Sequence, residues 1–241
     1  MIKSAQQRQE LFEKNINDSS FLSKKIKCDY LTSKGVDVSN FYSLNDCALM
    51  LVGENLSVTG KVTEDDMETI LSFCQFLGVY GLEIQDGSLP MKRKTMFLMK
   101  YAGEKCGSCT DIIVNENVYS FSEFCIRNFA GVSFNTIYAY LAKKVSRGIA
   151  DIYYLTENRK IVSGAVAIRY GMSDIYVTFV STDSSHRHKG MAAKVIRHII
   201  SQNPGRNVIL MCEEKLKDFY TRLGFVHNDN MYLYTLREES F

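Results

Sequence analysis

The stretch SSHRHKGMAA, residues 184–193, combines residue types that hold an anion. It follows DIYVTFVST (174–182), which reads as a strand, and it leads into a helix over about 189–202. The first backbone N–H groups of a helix have no partner within the helix, and its dipole favours negative charge at that end. Gly190 has no Cβ, so a ligand or the chain itself can come close. Met191, Ala192 and Ala193 open the helix, with small side chains at 192 and 193 that leave room. Arg187 and Lys189 add positive charge beside the turn. Together these features make a diphosphate-binding site. An ordinary solvated basic turn has the same composition, and one R-x-x-G-x-A spacing does not decide between the two. A P-loop would need G-x-x-x-x-G-K-[ST] and a Rossmann turn G-x-G-x-x-G; only one glycine stands here.

The elements that must position this turn follow from hydrophobic patterning. Residues 150–156, 160–170 and 174–182 read as three strands, joined by the short polar breaks ENR (157–159) and GMS (171–173). Connections of hairpin length imply antiparallel pairing. NVILMC (207–212) is a buried strand, EKLKDFYTRLG (214–224) a helix ending on Gly224, and MYLYTL (231–236) a last strand. Two helices, near 120–129 and 134–147, precede this region, and Lys143, Lys144 and Arg147 read as the solvated face of the second. Tyr153, Tyr154, Tyr170 and Tyr176 read as packing.

Earlier in the chain, the first 30 residues read as helix, 31–45 as loop, and 47–62 as two strands joined at GEN (53–55). Thr63 opens a helix with Asp66 as a capping box, and Met67, Ile70, Leu71, Cys74 and Leu77 share one face. Residues 81–84 and 95–101 are strands, and the polar stretch 102–117 is the expected linker. The predicted division is 1–115 and 116–241. The N-terminal part repeats some of the element order of the C-terminal part without its glycine turn, as a degenerate copy would.

Bulk properties exclude several classes. Lys plus Arg number 29 against 27 Asp plus Glu, a balance that makes no electrostatic case for nucleic acid. No apolar run nears the roughly 18 residues that span a bilayer, and MIKSAQQRQE lacks a signal-peptide core. A cytoplasmic protein with no membrane partner is expected. Seven cysteines without secretory context suggest reduced thiols. Cys106 and Cys109 form one C-x-x-C, but no second pair or histidine follows at zinc spacing, so a polar loop is expected and no metal.

VSTDSSHRHKGMAAKVI (180–196) resembles the acyl-CoA-binding motif of the GNAT superfamily of N-acyltransferases, R/Q-x-x-G-x-G/A after a strand, through Arg187, Gly190 and Ala192. EEKLKDFYTRLGFV (213–226) is similar to the family's second signature, N-x-x-A-x-x-x-Y-x-x-x-G-F, through Tyr220, Gly224 and Phe225. The resemblance covers about residues 116–241. It implies an α/β fold with a mixed, mostly antiparallel sheet flanked by helices, beside a smaller α/β N-terminal domain in a tandem arrangement.

The same resemblance implies a function. Acetyl-CoA would wedge between the fourth and fifth strands of such a fold, and its pantetheine arm would pair with backbone at Val180, Ser181 and Thr182. Its diphosphate would rest on the amides of Arg187, His188, Lys189, Gly190, Met191, Ala192 and Ala193. A strand amide would act as oxyanion donor. Tyr220 would protonate the departing thiolate, a fitting task for a phenol whose pKa of roughly 10 exceeds that of a thiol. Phe219 is expected to pack the helix against the sheet.

Glu213 occupies the motif's asparagine position and Leu216 its alanine. Glu213 could reach the CoA arm or act as a base, or simply sit at a solvated helix start. The fourth strand lacks the carboxylate that many relatives use as a base, which leaves Asp174, Asp183, Glu157 and His188 as candidates, or ordered water. The leading expectation is an N-acetyltransferase acting on a small-molecule or peptide amine, as a monomer or homodimer. The alternative is a CoA-binding sensor or scaffold without turnover. Tandem copies of the fold also use aminoacyl-tRNA donors, which the neutral charge balance disfavours.

Overall fold

The computed structural model describes residues 1–34, 40–85, 89, 91–104, 107, 109–129 and 133–236. Two units form: Met1–Phe97 with Asp229–Phe241, and Leu98–Asn228. The first holds β1 (Lys3–Ser4), α1 (Gln9–Asn15), α2 (Phe21–Ser33), β2 (Phe41–Leu44), β3 (Cys47–Val52), β4 (Asn55–Gly60), α3 (Glu64–Leu77) and β5 (Gly81–Ile84). Strand β6 (Arg93–Tyr101) carries the chain into the second unit. That unit holds β7 (Ile113–Val114), α4 (Val118–Asn128), α5 (Phe134–Ser146), β8 (Ala150–Glu157), β9 (Lys160–Tyr170), β10 (Asp174–Thr182), a 3-10 turn at Ser184–His186, α6 (Met191–Gln202), β11 (Asn207–Cys212) and α7 (Glu214–Arg222). Strand β12 (Phe225–Thr235) begins there and ends in the first unit, where Tyr232–Thr235 pair antiparallel with β5.

Each unit has the same order: two helices, three strands, a helix, a strand. β2, β3 and β4 pair antiparallel and β4 pairs parallel with β5; β8, β9 and β10 pair antiparallel and β10 pairs parallel with β11. The chemistry of the connections sets this alternation. Asn158 and Arg159, both at positive φ (50° and 63°), make the two-residue turn that antiparallel neighbours need. The parallel pairs are instead bridged by the full-length helices α3 and α6, as a crossover requires. The result is the expected mixed, mostly antiparallel α/β architecture.

In the first unit, Phe12, Ile16, Ile26 and Tyr30 of the leading helices and the turn after α1 pack on Phe41, Ala48 and Met50, while α3 places Ile70 and Cys74 against Leu49, Val58, Leu82 and Tyr234. The capping box predicted at Thr63 and Asp66 is formed, and Gly78 ends α3 in the left-handed region (φ 69°). In the second unit, Tyr153 meets His198 of α6 (5.7 Å) and Tyr154 meets Phe121 of α4 (6.2 Å). Adjacent strand residues point to opposite faces, so α6 covers one face of this sheet and α4 the other. Tyr170 and Tyr176 stack on each other at 5.4 Å.

Gly164 lies directly against Phe121 of α4. A Cβ there would lie 2.6 Å from a Phe121 ring carbon and 2.9 Å from the Tyr153 carbonyl oxygen. Backbone cannot yield as a flexible side chain can. Gly164→Ala is therefore expected to destabilise the protein by about 1–3 kcal/mol, read as a lower urea midpoint at unchanged m.

Several expectations need correction. The first 30 residues are not one helix: Ser20, whose hydroxyl accepts from the Ser23 amide at 3.2 Å, restarts the chain as α2. The segment read as loop contains β2, where Phe41, Ser43 and Leu44 are buried. The compact units meet along the chain at 97/98, whereas the sequence reading places the domain boundary at 115/116. Residues within the expected linker are hydrogen-bonded into the second unit: the Ala102 amide donates to Gly224 O at 2.9 Å, and the Asn115 side chain bridges Asp151 and the Ile152 amide, both at 2.7 Å. Lys144 is not solvated. It follows Ile137 and Leu141 on the inner stripe of α5, only 2% exposed, with its ammonium 4.8 Å from the Tyr140 ring centre.

Candidate functional site

The site begins where β10 and β11 stop pairing. Their parallel register runs from Asp174↔Asn207 to Val177↔Leu210 and ends there. The β9–β10 ladder is interrupted between Thr178 and Ser181, and Phe179 sits at φ 51°, the geometry of a bulge. Beyond it β10 stays on β9, with Ser181 opposite Gly164 and Thr182 opposite Ser163. The edge of Val180–Thr182 that would have faced β11 is thus open to a ligand.

A cavity of about 330 Å³ fills this opening. Of the residues predicted to bind the coenzyme, Val180, Ser181, Thr182, Arg187, His188, Gly190, Met191, Ala192 and Ala193 line it. Tyr220 lines it from α7, and three further residues, His186, Leu216 and Phe219, join them. Lys189, exposed within the same loop, does not, nor does Glu213. Glu213 is the residue before α7 and its carboxylate meets the Lys215 ammonium at 2.9 Å. Phe219, expected as packing alone, is cavity wall as well as a ring neighbour of Tyr220 (5.0 Å).

Gly190 is the N-cap of α6 at φ 74°, and a Cβ built on it would meet nothing within 4 Å. No side chain caps this helix and no acidic residue occupies its first turn. Its leading amides therefore face the cavity mouth without a competing side-chain acceptor. The corresponding helix of the first unit is built the opposite way. There the capping box of α3 occupies the amides, and Glu64, Asp65 and Asp66 fill the first turn. An anion is attracted to the start of α6 and repelled from that of α3.

The loop leading to Gly190 is held through two adjacent residues. Arg187 Nε donates to Thr182 O at 3.2 Å, which holds the guanidinium over the end of β10. His186 lies between two partners: Nδ1 contacts the Ser185 hydroxyl at 2.9 Å, and Nε2 bonds the Glu157 carboxylate at the end of β8. The sequence gives no hint of this contact, which joins two turns of the fold.

Tyr220 is 4% exposed. Burial, with the neighbouring Cys212 thiol as a lesser cause, pushes its phenol above the ordinary tyrosine value. A phenol in that state remains a proton donor. The base candidates divide differently. Asp174, at the far end of β10, accepts from the Asn207 side chain at 2.8 Å. Asp183 accepts from Asn128 at 2.9 Å and faces Arg127 at 3.9 Å. Glu157 is committed to His186. Among the described residues no carboxylate lines the cavity. Cys106 lies outside the described residues, and the Cys109 amide donates to His198 Nδ1 at 3.2 Å. Among the described residues no group of three or more His, Cys, Asp or Glu could hold a metal ion, and no helix is long and apolar enough to cross a membrane.

A cleft opening on an uncapped helix start suits a ligand with a phosphorylated end. The family model described as an acetyltransferase (GNAT) domain matches residues 98–233. The chain belongs to the GNAT acetyltransferase family. The GNAT match spans the whole of the second unit and most of the strand that leaves it.

Solved structures align over most of the chain. A GNAT-family acetyltransferase of Colwellia psychrerythraea aligns with a TM-score of 0.55 and 12% identity over 98% of this chain and 100% of its own. A GCN5-related N-acetyltransferase of Kribbella flavida aligns at 0.58 and 11% over 80% of this chain and 88% of its own. A tandem GNAT protein from the clavulanic acid biosynthesis pathway aligns at 0.54 and 11% over 93% and 98%. At such identities the likeness is one of fold. No curated protein matches the chain.

Proposed function

We propose that the protein transfers an acetyl group from acetyl-CoA to a primary amine by direct attack on the thioester. The observation that carries this reading is the open wedge between β10 and β11, closed at its mouth by the uncapped, Gly190-led start of α6. The pantetheine arm adds to the free edge of Val180–Thr182 as a short strand would. The diphosphate takes the amides at the start of α6, with Arg187 beside it. The amine nitrogen attacks the carbonyl carbon, a β10 amide stabilises the oxyanion, and Tyr220 gives its proton to the sulfur as the C–S bond breaks. Calorimetry with coenzyme A and acetyl-CoA tests the binding half of this reading; release of free thiol in the presence of amines tests the transfer.

Among the described residues the cavity lining carries no carboxylate, which favours a second reading, a CoA-binding sensor or scaffold. Tight coenzyme binding without thiol release on any amine would select it.

The Glu157–His186 contact ties the diphosphate loop to the β8–β9 turn. Glu157→Gln weakens that tie without touching Tyr220. Its expected effect is a three- to tenfold rise in the Kd for acetyl-CoA with kcat unchanged, since the pair is partly exposed and such pairs contribute little.

A further inference from the structure

The bulge in β10 determines which polar groups the open edge presents. Before it, Thr178 stands opposite Val166; after it, Ser181 stands opposite Gly164 and Thr182 opposite Ser163, so β10 carries one extra residue. Alternate residues of a strand turn their amide and carbonyl to opposite edges. Three bonds fix that alternation here. The Asp183 amide donates to Val162 O at 2.8 Å, and Ser181 O accepts from the Ser163 hydroxyl at 3.1 Å, so residues 181 and 183 face β9. Thr182 O accepts from Arg187 Nε of the loop, on the other edge. Val180 and Thr182 therefore turn their backbone groups toward the cavity, which both residues line.

This register has a cost and needs holding. Phe179 stands at φ 51°, a conformation that a residue with a Cβ keeps only where its surroundings over-determine it. Absorbing the extra residue would relieve it and move the pairing by one position. Ser181 would then oppose Ser163, and a slip of one residue turns side chains and edge groups to the opposite sides. From the helices, Phe129 of α4's end and Tyr140 of α5 meet the Phe179 ring at 5.8 and 6.4 Å. From β9, Gly164 has no side chain to contribute. Ser163 does. It is fully buried, and its hydroxyl makes two bonds, both onto β10 beyond the bulge. Having given its one proton to Ser181 O, the oxygen accepts from the Thr182 hydroxyl at 2.8 Å. Both bonds depend on the shifted register.

We propose that Ser163 is a positioning residue for the coenzyme. Its hydroxyl locks the bulged register of β10 and so keeps the polar groups of Val180 and Thr182 on the open edge. This rests on the acetyl-CoA reading given above. The pantetheine arm depends on that edge, whereas the diphosphate depends on the start of α6. Loss of the hydroxyl should weaken the first part of the grip and spare the second.

The test uses the full chain and two ligands. Acetyl-CoA carries the pantetheine arm; 3′-phosphoadenosine 5′-diphosphate is its nucleotide end alone. Calorimetry, direct for the first and by competition for the second, is expected to show a Kd for acetyl-CoA about tenfold higher in Ser163→Ala, since two hydrogen bonds of ordinary strength are lost. The Kd for the nucleotide should stay within about twofold of the parent. Exchange of the Asp183 amide, measured without ligand, should quicken about tenfold, because its bond to Val162 O belongs to this register. Ser163→Cys fills similar space with a weaker hydrogen-bonding group and should behave alike; it serves should Ser163→Ala fail to fold. A parent protein that binds no acetyl-CoA would remove the coenzyme reading and this proposal together. With binding shown, an unchanged acetyl-CoA affinity in the variant, an equal loss for both ligands, or an Asp183 amide that exchanges no faster would overturn the role of Ser163 and leave the coenzyme site standing.

Discussion

Tyr220→Phe is expected to lower kcat for thiol release about a hundredfold, with the Kd for acetyl-CoA within twofold of the parent. The variant removes one oxygen and keeps the ring. The ring makes the packing: it lies 5.0 Å from Phe219 and 5.9 Å from Phe225, and it is buried. Coenzyme grip and stability should therefore survive. What is lost is the proton for the departing sulfur. General acids contribute about 10²- to 10⁴-fold, and the low end applies because a thiolate leaves more readily than an alkoxide. The pH profile provides a second readout. Burial raises the Tyr220 pKa, so the phenol stays protonated where an exposed tyrosine, with a pKa of roughly 10, would be half ionised. Activity should therefore show no alkaline fall from this group at pH 10. A fall there that disappears in Tyr220→Phe would show a phenol ionising at its ordinary pKa, against the effect of burial. A variant with undiminished kcat would remove the acid role.

Gly190→Val should weaken acetyl-CoA binding by more than a hundredfold. Two effects act in the same direction. Residue 190 is in the left-handed region at φ 74°, where a residue with a Cβ pays about 1–2 kcal/mol and a β-branched one more. The space the Cβ would enter is free of protein atoms and opens on the cavity, so the valine methyls would stand where the diphosphate belongs. Lost amide contacts and a blocked mouth together exceed 2.7 kcal/mol, the equivalent of a hundredfold. The melting temperature should fall by only a few degrees, because the position is exposed. Calorimetry with coenzyme A and a thermal melt distinguish the two outcomes. Unaltered affinity would place the diphosphate elsewhere.

The parts of this site that were legible in the sequence are those written in neighbouring residues. Residues 150–182 are apolar runs separated by two- or three-residue polar breaks, and they fold as β8, β9 and β10. Gly190 and the small residues after it mark the start of α6, and the spacing from Glu213 to Phe225 marks α7 and its end. The rest depends on contacts between distant positions. The bulge at Phe179 exists only relative to the register with β9, and nothing in TFVST announces it. Glu157 and His186 meet because two turns happen to be adjacent in space. Phe219 and Leu216 reach the cavity through the angle of α7. Lys144 misleads because charge outweighs position in a sequence reading; its spacing from Ile137 and Leu141 places it on the inner stripe. Strand β2 is only four residues long and follows a polar stretch, so its pattern has no room to show.

The path of β12 has a consequence for how the molecule is made. Tyr232–Thr235 complete the sheet edge at β5, and Tyr234 is buried beside Leu82 and Val58. These residues are translated after the whole of the second unit. While the nascent chain grows, the first unit must wait with an unpaired strand and an open apolar seam, although domains usually fold in order of synthesis. A ribosome stalled short of Met231 would hold an N-terminal half that is fully translated yet unfinished, a natural client for chaperones and proteases.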